Sequence, residues 1–190
     1  MGITKESLVS QALVLLGADS ISSFAEESNE SDVASQFYET TIASLLCVHN
    51  WTFATRQAKL SQNTVAPILA YKYSYHLPTD LLQMRYLFSE YNSLPVLDWK
   101  RVGKFIQTDL SPAFSEYTYR VLEADLPAFF IPLAKYSLAL AMNMVITRDK
   151  ANQQLLNSEF EILLSRSQIT DNSQKGANKL MYQGNLLGVR

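Results

Sequence analysis

Residues 70–84 read AYKYSYHLPTDLLQM, with Tyr71, Tyr73 and Tyr75 on alternate positions before the run stops at Leu77-Pro78. Two readings compete for this row. Exposed tyrosines beside a lysine would make a platform on which nucleic-acid bases stack. A pleated strand would instead send Tyr71, Tyr73 and Tyr75 to one face and Lys72, Ser74 and His76 to the other, with no chemistry at all. The surrounding punctuation favours the strand. "TFATRQAKL", "YKYSYHL", "LLQMRYLFS", "RVGKFIQT" and "SEYTYRVLE" are short runs separated by turn-prone "SQNTVAP", "PTD", "EYNSLP" and "TDLSPAF". That spacing predicts a small antiparallel β element from Trp51 to about Glu123.

Helical patterns lie on both sides of it. The first runs from about Thr4 to Leu16, with Thr4 as cap, Leu8, Ala12, Leu15 and Leu16 as its stripe and Gly17 as its stop. The serine- and acid-rich "ADSISSFAEESNESD" reads as a loop ending at a capped start, with Ser28 or Ser31 as the cap and Glu30 and Asp32 in the first turn. A second helix follows with Val33, Phe37, Ile42, Leu45 and Leu46 facing inward. Helix returns at Pro132, whose missing N–H is harmless in a first turn, and carries a stripe of Leu133, Tyr136, Leu140 and Met144. Its small residues Ala134, Ser137 and Ala141 admit a close helical neighbour. After a break near Asp149-Lys150, "ANQQLLNSEFEILLSRSQ" is a last helix with a fuller polar face.

The expected fold is therefore α+β: a bundle of about four helices with an inserted small antiparallel β element and an extended C-terminal tail. Residues 1–50 and 130–174 form the helical body of a single domain, 51–125 the β insertion, and 175–190 the tail.

Composition narrows the partners. A net charge of −2 creates no strong field toward nucleic acid or anionic lipid. With one cysteine, Cys47, no intramolecular disulfide is possible, which suits a reducing compartment. No signal peptide is expected, because charged and polar residues break the N-terminal apolar run early. The apolar stretch from Leu126 to Thr147 approaches bilayer length, yet Pro132, Lys135 and Asn143 interrupt it, so a buried helix is expected rather than a membrane span.

Reactive constellations are missing from the sequence. Cys47 and His49 are neighbours, but no third group orients the histidine, and Cys47 falls on the inner side of its helix, where a packed thiol is the expectation. One cysteine with His49 and His76 gives no metal spacing, and with six glycines there is no phosphate-cradling motif. The acids of "FAEESNESD" suit a solvated loop, and Asp80 in "LPTD" suits a turn. No cofactor, metal or catalytic site is expected, and the chain reads as no enzyme.

Nucleic acid stays open as an alternative. Between residues 56 and 104, the basic residues Arg56, Lys59, Lys72, Arg85, Lys100, Arg101 and Lys104 outnumber Asp80, Glu90 and Asp98. With tyrosines interleaved, that is the composition of a single-strand-binding surface, although the charges are scattered over several strands.

Several stretches together carry a resemblance. "ALVLLGADSISSFAEES", "HNWTFATRQAKL", "YKYSYHLPTDLLQM" and the later "FFIPLAKYSLALA" occur in that order. They resemble the tail tubular protein A, or head-to-tail adaptor, family of short-tailed phages. The matching positions are Leu15, Leu16, Gly17, Ile21, Ser23, Phe24, Glu26 and Ser28, then His49, Trp51, Phe53, Ala54 and Arg56. Tyr73, Tyr75, Leu77, Pro78, Asp80 and Leu82 follow, and Phe130, Pro132, Leu133, Leu138 and Ala139 complete the set. Asn50, Leu81 and Gln83 depart from the family's proline, cysteine and arginine. The match spans most of the chain apart from the tail.

The resemblance implies a structural virion protein located at the head–tail junction and made in the host cytoplasm. It implies a homo-oligomeric ring of about twelve copies, seated between the portal protein and a tail nozzle resembling tail tubular protein B. Double-stranded DNA passes through transiently, and no membrane is involved. Within that reading Trp51, Phe53, Tyr73 and Tyr75 become a structural aromatic hinge between bundle and β element, and the tyrosine row is a strand face. Leu180, Met181, Tyr182, Leu186, Leu187 and Arg190 of the tail are candidates for docking on the portal. Tyr91, Asn92, Leu94, Pro112 and Phe114, in the loops "EYNSLPVLD" and "TDLSPAFSE", are candidates for contacting the nozzle.

Overall fold

The computed structural model describes residues 2–68, 70–89 and 92–174. The fold is α+β, and the described residues form four α-helices and two antiparallel sheets. In chain order come α1 (Lys5–Leu15), α2 (Asn29–Cys47), seven strands, a 3₁₀ turn at Glu123–Asp125, α3 (Phe130–Ile146) and α4 (Lys150–Ser173). The strands are β1 (Thr55–Lys59), β2 (Tyr73–His76), β3 (Leu81–Ser89), β4 (Asn92–Val96), β5 (Trp99–Val102), β6 (Phe105–Thr108) and β7 (Ala113–Tyr119). Two compact units result: residues 2–45, Trp51–Phe53 and residues 122–174 in one, and Leu46–Asn50 with Ala54–Val121 in the other.

In the helical unit, the caps follow local chemistry. Thr4 accepts the Ser7 amide at 3.2 Å to start α1, and Gly17 takes φ +72° to end it. Ser28, rather than Ser31, caps α2 by accepting the Ser31 amide at 3.2 Å. The buried arc of α1 is Leu8, Val9, Ala12 and Leu13, so Leu15, expected inside, falls at its rim. α3 starts two residues before Pro132, which still sits in the first turn, where a backbone N–H has no intrahelical acceptor. Both α1 and α4 pack on α3, burying Phe130, Leu133, Ala134, Leu138, Ala139, Met142 and Asn143. The expected stripe is therefore wrong by rotation: Tyr136 and Leu140 are only half-buried and Met144 is exposed. Periodicity cannot orient a helix that is apolar nearly all round. α4 runs on through Ser173, beyond the expected stretch, because Ser167 and Asp171 still face the interior.

Asn143 holds the α3–α4 corner. Its Nδ2 donates to the Asp149 carbonyl and to Gln153 Oε1, each at 2.8 Å, while its Oδ1 accepts from Thr147 Oγ1 at 2.8 Å and Asn152 Nδ2 at 3.1 Å. A buried amide with donors and acceptor both satisfied fixes one geometry. Asp149 then caps α4 by accepting the Ala151 and Asn152 amides.

The β unit holds a four-stranded sheet in the order β1-β7-β3-β4 and a three-stranded sheet in the order β2-β6-β5. Tyr75 and Ile106 of the smaller sheet and Leu87 and Ala113 of the larger one share a core with Leu60. Three expectations change here. "RVGKFIQT" is not one run but the β5–β6 hairpin, folded at Gly103-Lys104, where Gly103 takes φ +60°. "EYNSLPVLD" is not simply a loop, since Asn92–Val96 pairs with β3 as an edge strand, a position that tolerates Pro95. "TDLSPAFSE" likewise enters β7 at Ala113, which leaves only residues 109–112 as loop.

Candidate functional site

The tyrosine row splits. Tyr73 and Tyr75 lie in β2, while Tyr71 precedes the strand and donates to Asp98 Oδ1 at 2.9 Å. The Tyr75 ring is 1% exposed in the β core, and its hydroxyl donates to the Leu110 carbonyl at 2.7 Å. Tyr73 packs on the same core from its margin. An edge-buried phenol bonded to a carbonyl has no face left for a base.

Trp51 and Phe53 belong to the helical unit. Trp51 is fully buried, donates its indole N–H to the Leu45 carbonyl at 3.1 Å and meets Phe130 edge-on at 5.2 Å. Phe53 meets Phe130 at 4.9 Å and Phe129 at 6.0 Å. These are favourable edge-to-face geometries that add to the burial itself. Between the two aromatics, Thr52 is held by Asp171 of α4. Asp171 accepts the Thr52 amide at 2.9 and 3.1 Å and its hydroxyl at 2.6 Å.

A second cluster forms on the larger sheet. Arg56 pairs with Asp80, and its guanidinium carbon lies 3.9 Å from the Tyr119 ring centroid. The Tyr117 hydroxyl donates to Asp80 Oδ1 at 3.0 Å. Burial and this hydrogen bond both push the Tyr117 phenol above its ordinary range. The Tyr71 phenol is also raised, first by the bond it donates to Asp98. Arg85 of β3 donates Nε to Thr118 Oγ1 at 2.8 Å and also bonds Thr55 Oγ1.

The basic residues that suggested nucleic acid are thus divided among β1, β3, β5, the approach to β2 and the Gly103-Lys104 turn. Cys47 is half-buried, and burial pushes its thiol up, with Arg85 partly opposing. His76 packs against Phe105 at 5.0 Å between centroids. Residues 24–29 and Asp32 line an open depression of about 530 Å³ with an acidic rim. Among the described residues, no His, Cys, Asp and Glu side chains gather as a metal would need, and no helix is long and apolar enough to cross a membrane.

Of the surface candidates, Leu94 is exposed on β4, Asn92 begins that strand, Pro112 is half-buried after a cis peptide bond, and Phe114 lies in β7 under Lys59. Tyr91 and the tail residues Leu180, Met181, Tyr182, Leu186, Leu187 and Arg190 lie outside the described residues. The reading of the sequence missed Asp171, Asn143 and the buried pair of Tyr38 and Glu123, bonded at 2.9 Å. Their only signal is a polar residue on the inward side of a helix or turn, which single-sequence periodicity cannot resolve.

Neither protein-family models nor curated proteins give a match to this chain.

Proposed function

We propose that this chain is a structural head-to-tail adaptor, a subunit of a ring seated between the portal and the tail nozzle of a short-tailed phage. One observation carries the reading: the resemblance blocks, far apart in sequence, meet in pairs. Arg56 of the "HNWTFATR" block closes on Asp80 of the "YHLPTD" block. Trp51 and Phe53 of the former close on Phe130, which opens the late helical block. Their contact within each cluster supports reading the blocks as parts of one fold. The adaptor has no reaction to catalyse. Its work is to hold two partner rings coaxially while DNA passes.

Native mass analysis of the chain, alone and mixed with the portal protein of the same phage, tests this. The expected result is addition of a closed ring of about a dozen copies to the portal. A chain that ignores the portal but binds single-stranded oligonucleotide at physiological salt, with affinity falling steeply as salt rises, would replace this reading with the nucleic-acid alternative.

A further inference from the structure

The basic residues of the larger sheet are engaged locally. Arg56 pairs with Asp80, Arg85 bonds Thr55 and Thr118, and Lys59 lies over the Phe114 ring. Those of the smaller sheet gather instead at one corner. Lys100, Arg101 and Lys104 fall within the β5–β6 hairpin, and no acid occurs between Trp99 and Thr108. All three are exposed, and none has an ion-pair partner among the described residues.

The backbone holds this corner in shape. The strands pair in register from Trp99 with Thr108 to Val102 with Phe105, and Gly103 turns the chain at φ +60°. The Leu77 amide donates to the Lys104 carbonyl at 3.1 Å, and Arg101 Nε donates to the Gly103 carbonyl at 3.3 Å. Alternation sends Lys100 and Arg101 to opposite faces of β5, with Lys104 in the turn beyond them. The flanking acids stand at the other end of the hairpin, where Asp98 accepts the Tyr71 hydroxyl at 2.9 Å and Asp109 the Lys72 amide at 2.8 Å. At about 3.4 Å per residue, β5 separates the turn from that end by roughly 10 Å, about one Debye length at 0.1 M salt.

We propose that this corner is a contact site for the phosphate backbone of double-stranded nucleic acid, with Lys100, Arg101 and Lys104 each taking a phosphate. Cations on both faces of an edge strand converge only beyond its edge. They suit a line of charge running past β5, and not a flat surface laid on one face. The nearby rings offer no stacking platform, because Phe105 packs with His76 at 5.0 Å and Tyr73, Tyr75 and Trp99 pack on the core. The exposed bases of a single strand therefore gain nothing here. A duplex presents a dense line of charge, one per about 1.7 Å of its axis. A cation on the edge of β5 also discourages strand addition, but that role gives no reason for Lys104 in the turn or for a hairpin without acids. Phosphate contacts read no sequence, so the site grips any duplex alike. It does not rest on the ring, since a single chain carries it.

Fluorescence anisotropy of a labelled DNA duplex of about 30 base pairs, titrated with the full chain, tests the site. The expected result is binding at about 20 mM salt that weakens about 500-fold by about 200 mM, the logarithmic slope of about −2.7 that three phosphate contacts give. Lys100→Gln, Arg101→Gln and Lys104→Gln together should weaken binding at least about thirtyfold at the lower salt, with an unchanged circular dichroism spectrum. Lys104→Gln alone, in the turn, should shrink the slope by about 0.9. Lys59→Gln, Lys150→Gln and Arg166→Gln together remove the same net charge from other exposed positions and should leave the affinity within about threefold of the parent. No duplex binding at low salt, an equal loss in the two triple variants, or single-stranded DNA of the same length bound more tightly than duplex overturns the proposal. Portal addition is read separately, so a chain that grips duplex but never joins a portal sinks the ring and not this site.

Discussion

Asp171, on the last turns of α4, accepts both the amide and the hydroxyl of Thr52, a residue more than a hundred positions earlier in the chain. The carboxylate is fully buried. It stitches the end of the last helix to the segment that carries Trp51 and Phe53.

Asp171→Asn replaces one acceptor oxygen with a donor that faces the Thr52 N–H or O–H. The expected loss is about 2 kcal/mol, the scale for breaking a buried charge-assisted hydrogen bond. Urea titration of the variant reads it directly; an unchanged midpoint at unchanged slope would show that Asp171 is dispensable.

Phe130→Ala empties the centre of the Trp51–Phe53–Phe130 cluster. A cost of about 3–5 kcal/mol is expected, the range for deleting a buried aromatic. Phe130→Leu should keep more than half of that stability. If both variants unfold at the same urea concentration as the parent, the cluster is not the centre of the helical unit.

Alkaline pH should weaken the fold through tyrosine. The Tyr117 phenol is raised in the folded chain, first by burial and then by its bond to Asp80, and Tyr71 is shifted the same way. A raised folded value means that the neutral form is favoured by folding. The contribution is fully present below the ordinary value of about 10 and is lost as pH rises through the raised one. Tyr117→Phe should therefore flatten the fall in urea midpoint above about pH 10. A slope identical to the parent's would remove Tyr117 from the account.

Thiol labelling offers an independent check on Cys47. Burial raises its thiol and only part of that is offset by Arg85. Labelling at neutral pH should run slower than for a free cysteine and should reach the free rate in urea, since the thiolate is the reacting form. A rate equal to that of a model thiol in the native protein would mean that the half-buried position is open.

Removal of residues 175–190 addresses the tail. The truncated chain is expected to keep its urea midpoint and lose capture by the portal. Normal portal capture would take the docking role away from Leu180, Met181, Tyr182, Leu186, Leu187 and Arg190.

Read alone, the order of residues determined the ends of α1, the β region and the α+β class, and narrowed the α2 cap to Ser28 or Ser31. Thr4, Ser28 and Gly17 act through bonds and dihedral angles within a few residues, and strand alternation is equally local. Tertiary structure alone decided which face of α3 is inside. α3 is apolar nearly all round, so only the positions of α1 and α4 could leave Met144 outside and bury Asn143. The division of the strands between two sheets was equally invisible, since β2 and β3 are adjacent in sequence but pair with β6 and β7. The Thr52–Asp171 and Arg56–Asp80 contacts follow the same rule. Side-chain partners so distant in sequence have no local signature, and packing brings them together only after the chain has closed.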